Sequence, residues 1–237
     1  MLDPQQQRRQ LFDALRPPEG YQLDYALGTT YSLDLLAMLT VPLAYTFWDS
    51  DEGQNSLLRD PLALLHGVRQ VIDRLAVFCQ AGLIKVPRGS QQLFAYLEDA
   101  VFEVTPPHQD GVFHPKVWLL RYTPRPASSA EPEEAPIRYR LLCLSRNLTF
   151  DHSWDTMLVL DGVFQAQRKR AYGRNHPLGD FIAALPNLAV RPLTPAVQAT
   201  MSQLSDEVRK VDFELPWPGT SLEFLPMGLN GRRSWPF

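Results

Sequence analysis

Apolar residues fall on every second position from Tyr21 to Leu27 (Tyr21, Leu23, Tyr25, Leu27), the period of a strand with one buried face. Gly28-Thr29-Thr30 reads as a turn, and Ser32 stands where it can cap a helix beginning at Leu33. Strand, turn and capped helix make the opening of an α/β layer. The segment 60–82 then carries apolar residues at helical spacing and stops on Gly82. The run 83–86 (LIKV) reads as a short buried strand, and 92–104 as a helix running into a strand. Three strands follow closely, at 112–122, 137–146 and 155–164. Between the first two, the Pro-, Ser-, Ala- and Glu-rich stretch 123–136 reads as a solvent loop joining antiparallel neighbours. Helices are expected over 1–16, 178–185 and 194–210, with a last strand in SLEFLP (221–226).

These elements predict an α/β fold, a mixed sheet with helices on both faces. The chain divides into an N-terminal helix and linker (1–19), a central unit (20–177) and a helical C-terminal extension (178–237). At 237 residues the chain is long enough to bury a sizeable core. Net charge is −3, so the chain as a whole is no basic nucleic-acid binder, and phosphate binding has to be local. Cys79 and Cys143 sit in apolar runs without a Cys or His cluster, which reads as two buried free thiols in a reducing compartment. The first residues lack a secretory pattern, and the longest apolar run (35–48) is short and interrupted by Pro42. A cytoplasmic protein without a membrane partner is the expectation.

Chemistry concentrates in VFHPKVWLLRY (112–122) and LLCLSRNLTF (141–150). On a strand, residues two apart share a face, which puts His114 with Lys116 and Ser145 with Asn147. If the two strands pair, these four side chains converge at one end of the sheet. The set suits a phosphodiester. Lysine offers a point charge to a non-bridging oxygen, while serine and asparagine offer neutral donors as charge develops. Histidine can act as nucleophile or general acid near neutral pH.

HPK followed by SRNLT resembles the phospholipase D superfamily, whose motif joins His-x-Lys to a small-residue, Ser/Asn-containing turn. YALGTTYSLDLLAML resembles the opening strand and helix of a half-domain there, so the likeness covers roughly residues 20–165. The resemblance implies one phospholipase D-like half-unit and a hydrolase that works through a phosphohistidine, with no metal or other cofactor. It implies His114 as nucleophile or acid, Lys116 and Asn147 as phosphate ligands, Ser145 at the small-residue position and Asp155 orienting the histidine. The family's motif aspartate falls at Arg121 here, and the 123–136 loop lengthens the usual spacing. HPK is the sole His-x-Lys, and the family uses two motifs. The second is expected from a homodimer partner or from sequence beyond Phe237.

The basic run Arg168, Lys169, Arg170 and Arg174 reads either as a solvated loop or as a phosphate-backbone contact beside the site. Nucleic acid, DNA before RNA, is the expected substrate, as in DNA-processing or defence nucleases. A non-catalytic nucleic-acid-binding or scaffold subunit and a phospholipid phosphodiesterase stand as alternatives. Arg232, Arg233 and Trp235 suit nucleotide stacking or a lead-in to further sequence equally well. His108, Asp110 and His114 have the residue types of a metal site, yet lie in a Pro/Gly loop without further ligands, so solvent-facing side chains are expected. His66 is expected at the core or its boundary, His152 in a turn within reach of the pocket, and Trp118 and Trp154 in the core.

Overall fold

The computed structural model describes residues 11–49, 61–88, 94–106, 108, 110–125, 135–150 and 155–229. Within them lie α1 (Leu11–Leu15), β1 (Tyr21–Thr30), β2 (Leu33–Asp34), α2 (Leu35–Asp49), α3 (Pro61–Ile72), β3 (Leu75–Gln80), β4 (Ile84–Lys85) and β5 (Val101–Val104). There follow β6 (Val117–Pro124), β7 (Arg138–Leu144), β8 (Met157–Phe164), α4 (His176–Leu188), α5 (Pro195–Val208) and β9 (Val211–Phe213). Seven strands form one mixed sheet in the order β5-β3-β1-β6-β7-β8-β9, and β2 pairs with β4 in a two-stranded ribbon. β5, β3 and β1 run parallel, while β1 meets β6 antiparallel and each later neighbour is antiparallel too. The expected α/β architecture, a mixed sheet with helices on both faces, is the one observed.

Each face of the sheet carries its own core. Leu23, Val77, Trp118, Leu120 and Leu142 pack under α1, α2 and α3 on the first face. Leu27, Phe78, Leu119, Leu141 and Leu160 pack under α4 and α5 on the second. α4 and α5, with Leu222 and Phe224 beyond them, therefore cover the second face, and β9 adds a strand to the main sheet. β9 gave no sequence signal because three residues are too few to show a period. SLEFLP forms no strand; Leu222 and Phe224 instead pack on the second core as irregular chain.

Several boundaries differ from the pattern reading. The 60–82 run is two elements, α3 and then β3, because Asp73 and Arg74 turn the chain and Leu75–Cys79 is buried on both faces. A strand covered on both sides has no alternation to distinguish it from a buried helix. The 92–104 run resolves into a single 3₁₀ turn at Ala95–Leu97 and β5. Gly28 lies inside β1, which continues to Thr30; the absence of a Cβ there leaves room for the Trp118 indole, about 3.0 Å from where that atom would stand. The helix starts at Leu35, and its first turn is capped by Asp34, whose Oδ1 accepts from the Leu36 N–H at 3.0 Å, not by Ser32. The LIKV strand is a two-residue, partly exposed edge piece.

The alternation in β1 is broken by a bulge. The pairing to β6 shifts between Leu23 and Tyr25, leaving Asp24 as the extra residue. Tyr21 and Leu23 accordingly face the first core, and Tyr25 and Leu27 the second. Among the described residues, no helix is long and apolar enough to cross a membrane.

Candidate functional site

The two chemistry-bearing stretches meet at the carboxyl ends of the parallel strands, where β1 has a parallel neighbour on one side and an antiparallel one on the other. The strand order also reverses there, running to β3 and β5 on one side of β1 and to β6–β9 on the other. Crevices at such a reversal, outside the carboxyl ends of the strands, are where open α/β sheets bind ligands. His114 lies in the extended run before β6, since the ladder begins only at Val117. The strand expected over 112–122 is thus shorter, with Pro115 having no N–H to pair. His114 is exposed and Lys116 buried, and the Lys116 Nζ stands 3.1 Å from either ring nitrogen of the histidine. Partial desolvation, with the Lys116 charge adding to it, lowers the His114 pKa and favours its neutral imidazole. Burial lowers the Lys116 pKa as well.

β1 ends in a clamp for both motif segments. The Thr29 hydroxyl accepts the Val117 N–H at 3.0 Å and donates to the Val117 carbonyl at 3.2 Å, fixing the residue after Lys116. Thr30 Oγ1 accepts the Leu148 N–H at 2.9 Å, fixing the residue after Asn147. The Tyr31 N–H donates to Asn147 Oδ1 at 3.3 Å, and the Tyr31 ring lies against the His114 imidazole with centroids 4.9 Å apart. The bond to Tyr31 identifies the Asn147 oxygen and leaves its Nδ2 amide as the donor for a ligand. No spacing rule marks Tyr31, yet it touches both His114 and Asn147.

Ser145 and Asp155 serve differently from the expectation. Ser145 Oγ accepts the Thr156 N–H at 2.9 Å and donates to Asp155 Oδ1 at 3.2 Å, so its hydroxyl is occupied within its own loop. Asp155 pairs with Arg146 Nη1 at 3.0 Å, so its carboxylate engages Arg146 and Ser145 rather than His114. Together these three close the loop that begins at Ser145. Arg146, which lies inside the SRN motif and was given no role by it, holds that closure and also donates to the Thr149 carbonyl at 2.7 Å.

Arg121, at the family's aspartate position, points into the second core. Its guanidinium forms a two-pronged pair with Glu207 (2.9 and 3.1 Å) and a 2.6 Å bond to Asp24. Burial alone would favour loss of its proton, but the Glu207 and Asp24 carboxylates outweigh this and hold it charged. Arg121 is a tie between α5 and the sheet.

The basic run lies at the other end of the molecule. β8 leaves the site end at Met157, paired with Leu144, and delivers the chain to the far end at Phe164. Arg168, Lys169 and Arg170 are exposed there, a strand's length or roughly 25 Å from the site end at about 3.4 Å per residue. The expectation of a phosphate contact beside the site is corrected accordingly. Arg174 is engaged locally, donating to Asp212 Oδ1 (3.3 Å) and the Phe213 carbonyl (3.2 Å). Arg168 and Arg174 both lie over the Tyr172 ring.

An apolar cleft of about 680 Å³ opens beside His114, between the sheet, α4 and the segment 222–229. Leu141, Leu158, Phe181 and Phe224 line it, with His108, His114, Cys143 and Glu223 contributing polar atoms. Cys143 is thus exposed, unlike Cys79, which is buried as expected. His66 is exposed on α3, where it bonds Gln70 at 3.0 Å, because its side of the helix faces away from the core. Trp118 is buried. His108 and Asp110 are exposed, and no group of three or more His, Cys, Asp or Glu among the described residues is placed to hold a metal ion. His152, Trp154, Arg232, Arg233 and Trp235 lie outside the described residues, as does most of the 123–136 loop.

Compared with protein-family models and with curated proteins, the chain matches none.

Proposed function

We propose that the chain is a phosphodiesterase of phospholipase D type that cleaves nucleic acid through a phosphohistidine on His114, without a metal. The contact between Lys116 Nζ and the His114 imidazole carries this reading: a neutral nucleophile beside a buried ammonium, with the Asn147 amide held on the same rim. A bound phosphate would rest its non-bridging oxygens on Lys116 and the Asn147 amide. A ring nitrogen of His114 then bonds to phosphorus as the P–O bond to the leaving oxygen breaks. A second histidine, from another copy of the chain, gives that oxygen a proton. Water next attacks phosphorus, the P–N bond breaks, and the second histidine takes the water's proton.

Sedimentation beside a cleavage assay in chelator tests it. Wild type is expected to be a dimer that cleaves DNA, and His114→Ala a dimer slower by at least about 10³-fold. A wild type that cleaves neither DNA nor RNA in chelator overturns the nuclease.

One observation favours a second reading, a phospholipid phosphodiester: the apolar cleft has His114 in its lining and would admit an acyl chain. Cleavage of phospholipid vesicles, together with indifference to competing DNA, would select it. Nucleic-acid binding that survives His114→Ala, with no cleavage of either substrate by wild type, would select the scaffold subunit.

A further inference from the structure

Tyr31 touches both halves of the motif, His114 through its ring and Asn147 through its backbone N–H, and its role deepens the phosphodiesterase reading on which it rests. Its backbone is pinned twice: the N–H to Asn147 Oδ1 at 3.3 Å, and the carbonyl accepting the Gln80 N–H at 3.3 Å. The flanking Thr29 and Thr30 bonds to Val117 and Leu148 allow the backbone little freedom to shift. The ring position is therefore set by the end of β1 and not by the loop that carries His114. It meets the imidazole at a 4.9 Å centroid separation and a 50° tilt, while Lys116 Nζ approaches the ring nitrogens at 3.1 Å.

We propose that Tyr31 is the positioning residue for His114, its ring acting as a wall that holds the imidazole against Lys116 in a single orientation. An exposed histidine ahead of a strand would otherwise sample its staggered χ1 wells and a broad χ2. Reaction at phosphorus requires one of those arrangements, and displacement by about 1 Å can cost about a hundredfold in rate. Tyr31 meets His114 through its ring and Asn147 and Gln80 through its backbone, so the wall is the aromatic ring. The same wall limits hydration of the imidazole, consistent with the lowered pKa of His114. Among the described residues, the ionisable groups that share the cleft with His114 or touch it are Lys116 on the same segment, His108 in the preceding loop, Cys143 on β7 and Glu223 across the cleft.

The test uses the full chain with Tyr31→Phe and Tyr31→Ala, each checked for a wild-type circular-dichroism spectrum and thermal midpoint. Histidine ring titration by NMR is the first readout, and it requires no activity. Tyr31→Ala is expected to raise the His114 pKa toward the ordinary histidine value by admitting water, while Tyr31→Phe leaves it where it is. Kinetics are the second: Tyr31→Ala lowers kcat by about tenfold to a hundredfold with little change in KM, its acid limb moves to higher pH, and Tyr31→Phe restores the wild-type profile. If Tyr31→Ala does not fold, Tyr31→Leu carries the same expectation, since it keeps enough apolar volume to fold but is too short to cover the imidazole and exclude water from it. A His114 titration unmoved in Tyr31→Ala or Tyr31→Leu, or a Tyr31→Phe that behaves as Tyr31→Ala does, overturns the proposal. Failure of the phosphodiesterase reading itself shows separately, as a wild type that cleaves nothing while the NMR shift is still seen.

Discussion

At the scale of single residues, His114 and Lys116 are coupled closely enough to be read through each other. Water is partly excluded from the imidazole, and the ammonium 3.1 Å away adds a like charge to its protonated form, so both effects lower its pKa. A nucleophilic histidine works neutral, and its rate falls as pH drops through that pKa. Wild type is therefore expected to keep its rate to a lower pH than an ordinary histidine, at about 6.5, would allow. Lys116→Gln removes the charge, lets the pKa rise and moves the acid limb to higher pH, besides lowering kcat. A pH profile of kcat/KM for the two proteins checks the direction, and a limb that stays in place or moves the other way refutes the coupling. This pair was legible in the sequence because a residue spacing of two brings side chains together on any extended chain. The neighbours were less so: Ser145 and Asp155 form bonds within their own loop, and Tyr31 reaches His114 across 83 positions of sequence. No local pattern encodes a partner that distant.

Between elements, α5 is joined to the sheet by charge as well as by Leu204 and Val208. Glu207 takes two bonds from Arg121 and a 2.6 Å bond from the Tyr139 hydroxyl. Burial alone would raise the Glu207 pKa, but those bonds lower it below the ordinary carboxylate range. A depressed carboxyl stabilises the fold above its unfolded pKa, about 4.3 for Glu, and that stability is lost as pH falls through the folded value. Glu207→Gln leaves Arg121, whose side chain is 8% exposed, short of its main counter-charge, and is expected to cost about 3 kcal/mol at neutral pH. The difference from wild type should shrink below pH 4 in thermal melts. A constant difference across pH would mean the loss is one of packing. β1 makes a second demand. Gly28→Ala sets a Cβ about 3.0 Å from the buried Trp118 ring, and a cost of about 1–3 kcal/mol in the urea midpoint is expected. Alternation marked β1, and strands were also expected at β6, β7 and β8, but β3 hid inside a helix-like run, and the Asp24 bulge reversed the facing of half of β1. Where a strand is buried on both faces, or gains one residue, period alone stops reporting which side is inside.

For the molecule as a whole, strand direction decides what the basic run can do. The chain leaves Asn147, returns through β8 and reaches Arg168 only after a full strand, so the loop and His114 occupy opposite ends of the sheet. Sequence proximity suggested the reverse, and the antiparallel step accounts for the difference. A nucleic acid touching both ends must bridge roughly 25 Å, a distance that about seven nucleotides span even when stacked at the duplex rise of ~3.4 Å per phosphate. Arg174 is left out of that contact because Asp212 and the Phe213 carbonyl already engage it, which leaves Arg168, Lys169 and Arg170. Replacing these three with alanine should weaken binding of single strands longer than about seven nucleotides. It should also flatten the slope of log K against log salt by up to about 2, at ~0.7 per phosphate contact. Strands of two or three nucleotides are too short to reach from His114, so their affinity should hold. An equal loss for short and long strands would place the effect in the fold. An unchanged slope for long strands would make the run a solvated loop, and nucleic acid would then have to be held at the His114 end alone.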